Sequence, residues 1–132
     1  MTAVQWLALS AVASVVFWVP YVLDRLRVLG TKDALRNPSP ESLAKHSAWA
    51  QRARAADLNS AVNLAIFTAL LFSAHVTGII NDPQVVLAAQ IYFWARVVYY
   101  IVYTAGIPGV RTLVFSVSVA AQLMVAIAVL SA

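Results

Sequence analysis

Four long runs of apolar residues dominate the pattern of the chain. Each is long enough to supply the roughly 20 residues that a helix needs to cross a bilayer. The runs lack the alternation of a barrel strand, and backbone groups in hydrocarbon must be hydrogen-bonded within their own segment, so helices are predicted. The sequence therefore predicts an all-α fold, a four-helix transmembrane bundle forming a single domain over residues 1–132. The predicted spans cover residues 4–28, 48–80, 83–105 and 109–131.

The connections between the runs differ in length and polarity. The first, from Arg25 to Ala48, is long and polar, and its two prolines disfavour helix at the residue before each. Ser39 or Ser42 is predicted to begin a new helical turn that runs into the second span. The second connection contains Asn81-Asp82-Pro83, a helix-start signal, and residues 105–109 form a tight break between the last two spans.

Composition supports a membrane protein and excludes several other classes. Hydrophobic residues make up 62% and charged residues 11% of the chain, against about 45–50% and about 25% in soluble domains. The net charge of +4 does not indicate nucleic-acid binding, because the basic residues flank the apolar runs rather than forming a stripe. Cysteine is absent, and the two histidines lie near opposite ends of the second span, so no metal site is predicted.

The basic residues also predict an orientation. Neither terminus nor the second connection carries lysine or arginine, and the first run is too long for a signal peptide. The positive-inside rule places connections one and three in the cytoplasm and both termini outside, as expected in a bacterial inner membrane. The residues that carry this signal lie in or beside connections one and three: Arg25, Arg27, Lys32, Arg36, Lys45, Arg52, Arg54 and Arg111.

Arg96 is a charged residue within an apolar run, roughly 15 Å from the end of its helix. A charge at that depth costs at least about 2.5–3.5 kcal/mol, so it should face a partner, a cavity or a ligand. Two structural interpretations are an ion pair with Asp57 and an arginine that extends to the cytoplasmic surface. The functional interpretation is an anchor for an anionic ligand, since a guanidinium offers a rigid fork to carboxylates.

Further polar positions accompany Arg96. Tyr99 and Tyr103 follow on the same helix face, which an aromatic belt at the interface explains only in part. Asn59 and Asn63 share a face of the second span, and Asn59 is expected at the depth of Arg96. Interhelical hydrogen bonding is the common use of such asparagines, with ligand binding as the alternative.

Two stretches resemble motifs of the MAPEG family, the membrane-associated proteins in eicosanoid and glutathione metabolism. Residues 52–59, RARAADLN, with Asn63 and Phe67 after them, resemble the motif of the family's second helix. Residues 96–112, RVVYYIVYTAGIPGVRT, are similar to the bacterial form of its third helix and turn. The resemblance extends over all four spans.

This resemblance implies a homotrimer with clefts between subunits, in contact with membrane lipids and open to the cytoplasmic half of the bilayer. In active members such a cleft holds glutathione, and a lipophilic electrophile or peroxide arrives from the lipid. The matching positions imply cofactor-binding roles for Asn59, Arg96, Tyr103, Arg111 and Thr112, and a catalytic role for Arg111 in activating the thiol. A nearby cation favours thiolate, which is the nucleophile.

Three positions depart from the family pattern. Asp57 replaces a histidine, Val62 replaces the glutamate that meets the glutathione amino group, and Ala55 replaces an arginine. The resemblance as a whole implies a glutathione-dependent transferase or peroxidase acting on lipophilic substrates. The alternative is a non-catalytic MAPEG-like protein that binds lipid or serves as a scaffold. A small multidrug transporter is disfavoured, because the first span contains no carboxylate before Asp24.

Overall fold

The protein is entirely helical. The computed structural model describes residues 1–132, and four segments are long and apolar enough to cross a membrane: Ala3–Ala34, Ala48–Val76, Pro83–Ala105 and Pro108–Leu130. The helices are α1 Ala3–Phe17, α2 Val19–Ala34, α3 Pro40–Ala44, α4 Ala48–Val76, α5 Pro83–Ala105 and α6 Pro108–Leu130.

The first span bends where α1 meets α2 at Trp18. Pro20 lies in the first turn of α2, and a proline has no N–H for the helical ladder. The carbonyl of Phe17 at this bend accepts a hydrogen bond from the Tyr100 hydroxyl of α5 at 2.8 Å. The two rings also stack, with centroids 4.1 Å apart. The bend is therefore held by a neighbouring span.

The first connection is folded back onto the end of α2. Gly30 adopts a positive φ of 74°, which breaks the helix, and the Arg25 guanidinium donates to the carbonyls of Ala34 and Arg36 at 2.9 and 3.0 Å. Ser39 begins α3, as predicted, through a reciprocal capping box with Ser42. The expectation that this turn runs into the second span is wrong.

The break between α3 and α4 lies at residues 45–47, and a carboxylate from α2 holds it. Asp24 accepts from the Ser47 N–H at 3.0 Å and from the Ser47 hydroxyl at 2.8 Å. Because this contact satisfies an N–H at the start of α4, the chain enters the second span from a fixed point.

Two left-handed glycines end the next helices. Helix α4 stops at Val76, short of the sequence-based bound at residue 80, and Gly78 follows with a φ of 82°. Gly106 caps α5 with a φ of 80°, and Arg52 of α4 lies over this turn, donating to the Thr104 carbonyl at 3.0 Å. The tight break predicted between the last two spans is therefore present and is tied to the second span.

Small residues allow the spans to pack closely, with α5 against α6, α4 and α1. Ala53, Ala56, Ala88, Ala121 and Ser118 are fully buried at these contacts. Only 27 of 132 residues are buried, whereas many large apolar side chains on all four spans are exposed. Water would not tolerate such a surface, and hydrocarbon does, so the protein is an integral, multi-pass membrane protein.

Candidate functional site

A cleft opens on the side of the bundle between α4, α5 and the start of α6. Its volume is about 340 Å³, within the roughly 300–1,000 Å³ typical of small-molecule sites. Four of the predicted binding residues line it, and three further residues complete its walls. The lining consists of Ala55, Asn59, Tyr99, Tyr103, Arg111, Thr112 and Phe115.

Two arginines and two tyrosines form a continuous row of contacts that runs from the bundle interior into this cleft. The Arg96 guanidinium lies 4.3 Å from the centre of the Tyr99 ring. Tyr99 meets Tyr103 edge to face, with centroids 5.6 Å apart, and the Arg111 guanidinium lies 4.6 Å from the centre of Tyr103. The shared helix face predicted for Arg96, Tyr99 and Tyr103 therefore places the rings between the two arginines.

Arg96 does not itself line the cleft; it lies behind Asn59 and Tyr99 in the interior of the bundle. Its side chain is 4% exposed, so it does not extend to the surface. Its Nη2 donates to Asn59 Oδ1 at 2.7 Å and to Ser60 Oγ at 3.0 Å. Asp57 forms no ion pair, with Arg96 or any other residue, so the ion-pair interpretation is wrong.

The positive charge of Arg96 has no acidic partner in this chain. Its Nε and Nη1 atoms are buried and have no hydrogen-bond acceptor. The small cavity beside it, between Ser10, Ser14 and Ser60, has room for about 10 Å³, which is close to the space of one water molecule. The space beside Arg96 is therefore too small for an anion larger than a water molecule.

Amide side chains extend the network across three spans. Asn59 Oδ1 also accepts from the amide of Asn63 at 3.2 Å, and Asn63 Oδ1 accepts from the Gln122 amide of α6 at 3.1 Å. The expected depth of Asn59 is thus confirmed by its contact with Arg96. Interhelical hydrogen bonding, the common use of such asparagines, is thus confirmed, and Asn59 also borders the cleft.

The lining of the cleft provides partners for an anionic group and none for a cationic group. Arg111, Thr112 and Asn59 supply a cation, a hydroxyl and an amide, which are suitable partners for a carboxylate. Ala55 contributes only a methyl group to the wall. No acidic residue lines the cleft, and Val62 is 63% exposed on the outside of α4. The lining therefore offers partners to an anionic group, and within one chain it offers an ammonium no counter-charge.

Two residues of the network were missed in the sequence. Ser60 binds Arg96, and Gln122 closes the amide network from α6. A lone glutamine within an apolar span was a usable signal, because polar side chains in hydrocarbon generally meet one another. Ser60 gave no such signal, since a serine hydroxyl can donate a hydrogen bond to a backbone carbonyl of its own helix.

Together, the fold and the cleft define a four-span membrane protein with a polar, cationic site in its lateral surface. The MAPEG family model matches residues 4–131. The chain therefore belongs to the MAPEG family. No curated protein and no solved structure matches it.

Proposed function

We propose that the protein is a homotrimer whose lateral cleft binds glutathione and promotes its reaction, as transferase or peroxidase, with lipophilic substrates from the bilayer. The observation that carries this proposal is the Arg111 guanidinium, held on the Tyr103 ring in a cleft that also contains Asn59 and Thr112. The cationic end of the bundle faces the cytoplasm in this arrangement, in a bacterial inner membrane, where glutathione is available.

The position of the cleft supports an assembly. Arg111 and Asn59 lie partly exposed on a side of the bundle that is otherwise apolar. Exposing such groups to acyl chains is costly, and covering them with a neighbouring subunit removes the cost. An acidic residue of the neighbouring subunit would then supply the counter-charge for the ammonium group of glutathione.

We assign activation of the glutathione thiol to Arg111. Glutathione, when bound, supplies a thiol sulfur as the nucleophile. The guanidinium charge favours loss of the thiol proton to water and stabilises the resulting negative charge. The Tyr103 ring fixes the guanidinium plane, and Arg96 supports the same edge of the cleft through Asn59 and Tyr99. The apolar spans on either side admit the lipophilic substrate.

Calorimetric titration of the detergent-solubilised protein with glutathione tests this function, together with turnover of an aryl halide and of a lipid hydroperoxide. Arg111→Ala should abolish turnover and weaken binding about ten- to a hundredfold, because it removes one charge-assisted bond of about 1.5–3 kcal/mol. Arg36→Ala removes an exposed arginine outside the cleft and is the matched control. No binding at millimolar glutathione would overturn the proposal.

A non-catalytic protein that binds lipid or serves as a scaffold is the second candidate. The absence of any acid in the cleft lining favours it, as does the methyl group of Ala55 where the family places an arginine. Native mass spectrometry after gentle extraction separates the two candidates. A trimer that retains lipid and ignores added glutathione supports the second; a trimer that exchanges lipid for glutathione supports the first.

A further inference from the structure

Asp57 is the acidic residue of the chain that lies at the depth of the lateral cleft. It precedes Asn59, which lines the cleft, by two residues on α4, or about 3 Å along the helix axis. The chain has five acidic residues in all. The other four lie in α2 and α3 at the basic end, or before α5 at the opposite end: Asp24, Asp33, Glu41 and Asp82.

The carboxylate of Asp57 has no partner within its own chain. Its side chain is half-buried, and it forms no ion pair and no side-chain hydrogen bond. The other acids near the basic end are paired, Asp24 with Arg27 and Asp33 with Arg36. An ionisable side chain inside a span is costly unless it is paired or serves a ligand. The partner of Asp57 therefore lies outside the single chain.

Asp57 and the cleft lie on opposite sides of α4. Two residues of an α-helix turn through about 200°, so the Asp57 side chain points away from Asn59 and from its own cleft. Its carboxylate is one methylene from the backbone and cannot reach round the helix. Asp57 accordingly does not line the cleft. The carboxylate has access only to a cleft that belongs to another copy of the chain.

A cyclic assembly brings two such different sides together. In a ring of identical subunits, one surface of each subunit meets a different surface of the next. Because Asp57 and Asn59 share a depth in the membrane, the acid of one copy comes level with the cleft of its neighbour. That cleft contains a cation and no acid in its own lining.

From this arrangement we infer that Asp57 of the partner subunit completes the lateral cleft, as the counter-charge for the ammonium group of glutathione. The ammonium donates to the carboxylate, while Arg111 binds an anionic group of the same ligand. Asp57 thus takes the role that Val62 cannot perform, and it does so from the next subunit. This inference rests on the proposed function.

Introduced cysteines test the juxtaposition without any ligand, because the chain contains no cysteine of its own. Thr112 is exposed and lines the cleft. In native membranes, a short bifunctional thiol reagent should join the double variant Asp57→Cys/Thr112→Cys into covalent dimers and trimers on a denaturing gel. The matched control is Asp82→Cys/Thr112→Cys, whose thiols lie at opposite ends of the bundle and should leave the chain monomeric. Absence of links between chains in the first variant would overturn the inference.

Calorimetric titration tests the role of the carboxylate. Glutathione is compared with glutaryl-cysteinyl-glycine, which has the same thiol and carboxylates and lacks the ammonium. The unmodified protein should bind glutathione about tenfold more tightly, as one charge-assisted hydrogen bond allows. Asp57→Asn should abolish this preference and leave the affinity for the analogue unchanged, whereas a merely structural role would weaken both ligands equally. Asp57→Glu keeps the charge and should keep the preference, as should Asp82→Asn at the far end.

The outcomes separate this inference from the proposed function. Glutathione binding without a preference over the analogue, or with a preference that survives in Asp57→Asn, would overturn the inference and leave the proposed function standing. Binding of neither ligand by the unmodified protein would overturn both. Should Asp57→Asn not fold, Asp57→Ser also removes the charge and takes its place.

Discussion

Two buried charges in this protein are accommodated in opposite ways. Asp24, at the basic end, accepts from Ser47, Arg27 and His46, and one of these partners is a cation. Arg96, within the spans, meets only the neutral oxygens of Asn59 and Ser60, and two of its nitrogens are unpartnered. The charge of Asp24 is therefore fully partnered within the chain, whereas the charge of Arg96 is not.

The difference follows from where each charge lies. A charge beside a polar connection is surrounded by residues that folding can bring to it at low cost. A charge inside the bilayer has only the neighbouring spans, and Asp57, the carboxylate of α4, forms no ion pair with Arg96. An incomplete network of this kind is costly for stability and suited to binding, since an anion that reaches it removes the cost.

Removal of the complete cluster should have the largest effect on stability. Asp24→Ala leaves the buried His46 ring and Ser47 without their acceptor, so the free energy of unfolding should fall by about 2–5 kcal/mol. Titration with sodium dodecyl sulfate in mixed micelles measures it. Asp33→Ala, which removes an exposed partner of Arg36, should change it by less than about 1 kcal/mol. Equal effects from the two variants would show that the cluster is not structural.

Removal of the Arg96 charge from the incomplete network should raise the free energy of unfolding rather than lower it. Arg96→Met, without added ligand, replaces a buried and uncompensated charge by an apolar chain of similar length. The free energy of unfolding should rise by about 1–4 kcal/mol, as when buried charges elsewhere are replaced by apolar residues. Arg36→Met is the matched control at an exposed site. A loss of stability as large as that of Asp24→Ala would mean that Arg96 is already compensated.

The smallest effect is expected at the far end of the amide network. Gln122→Leu removes one interhelical hydrogen bond to Asn63, and such bonds contribute about 0.6 kcal/mol in membrane bundles. Gln90→Leu, at an exposed glutamine that forms no such bond, is the control and should cause no loss. A loss above about 2 kcal/mol for Gln122→Leu would indicate that the network acts cooperatively.

The fold was largely predictable because each span is long and each break has its own signal. Pro83 and Gly106 mark their helix ends in the sequence. The junction between α3 and α4 was not predictable, because it depends on Asp24, which lies far from Ser47 along the chain. The contact of His46 with Asp24 was not predictable either, because the two residues also lie far apart along the chain.

The candidate site was predictable in its members and less so in their arrangement. Asn59, Tyr103, Arg111 and Thr112 line one cleft, as a shared site requires. Spacing along α5 placed Arg96 on the face of Tyr99, and it did not reveal that the guanidinium turns inward to Ser60. In the proposed trimer a counter-charge would come from a neighbouring subunit, and no pattern within one chain specifies such a contact.

The central claim is that the lateral cleft is a polar site completed where subunits meet. A cryo-electron microscopy map of the protein in lipid nanodiscs, recorded with glutathione, tests it most directly. The account predicts a trimer with glutathione density within hydrogen-bond distance of Arg111 and covered by a second subunit. Separate monomers, with acyl chains lying directly against Arg111 and Asn59, would contradict it.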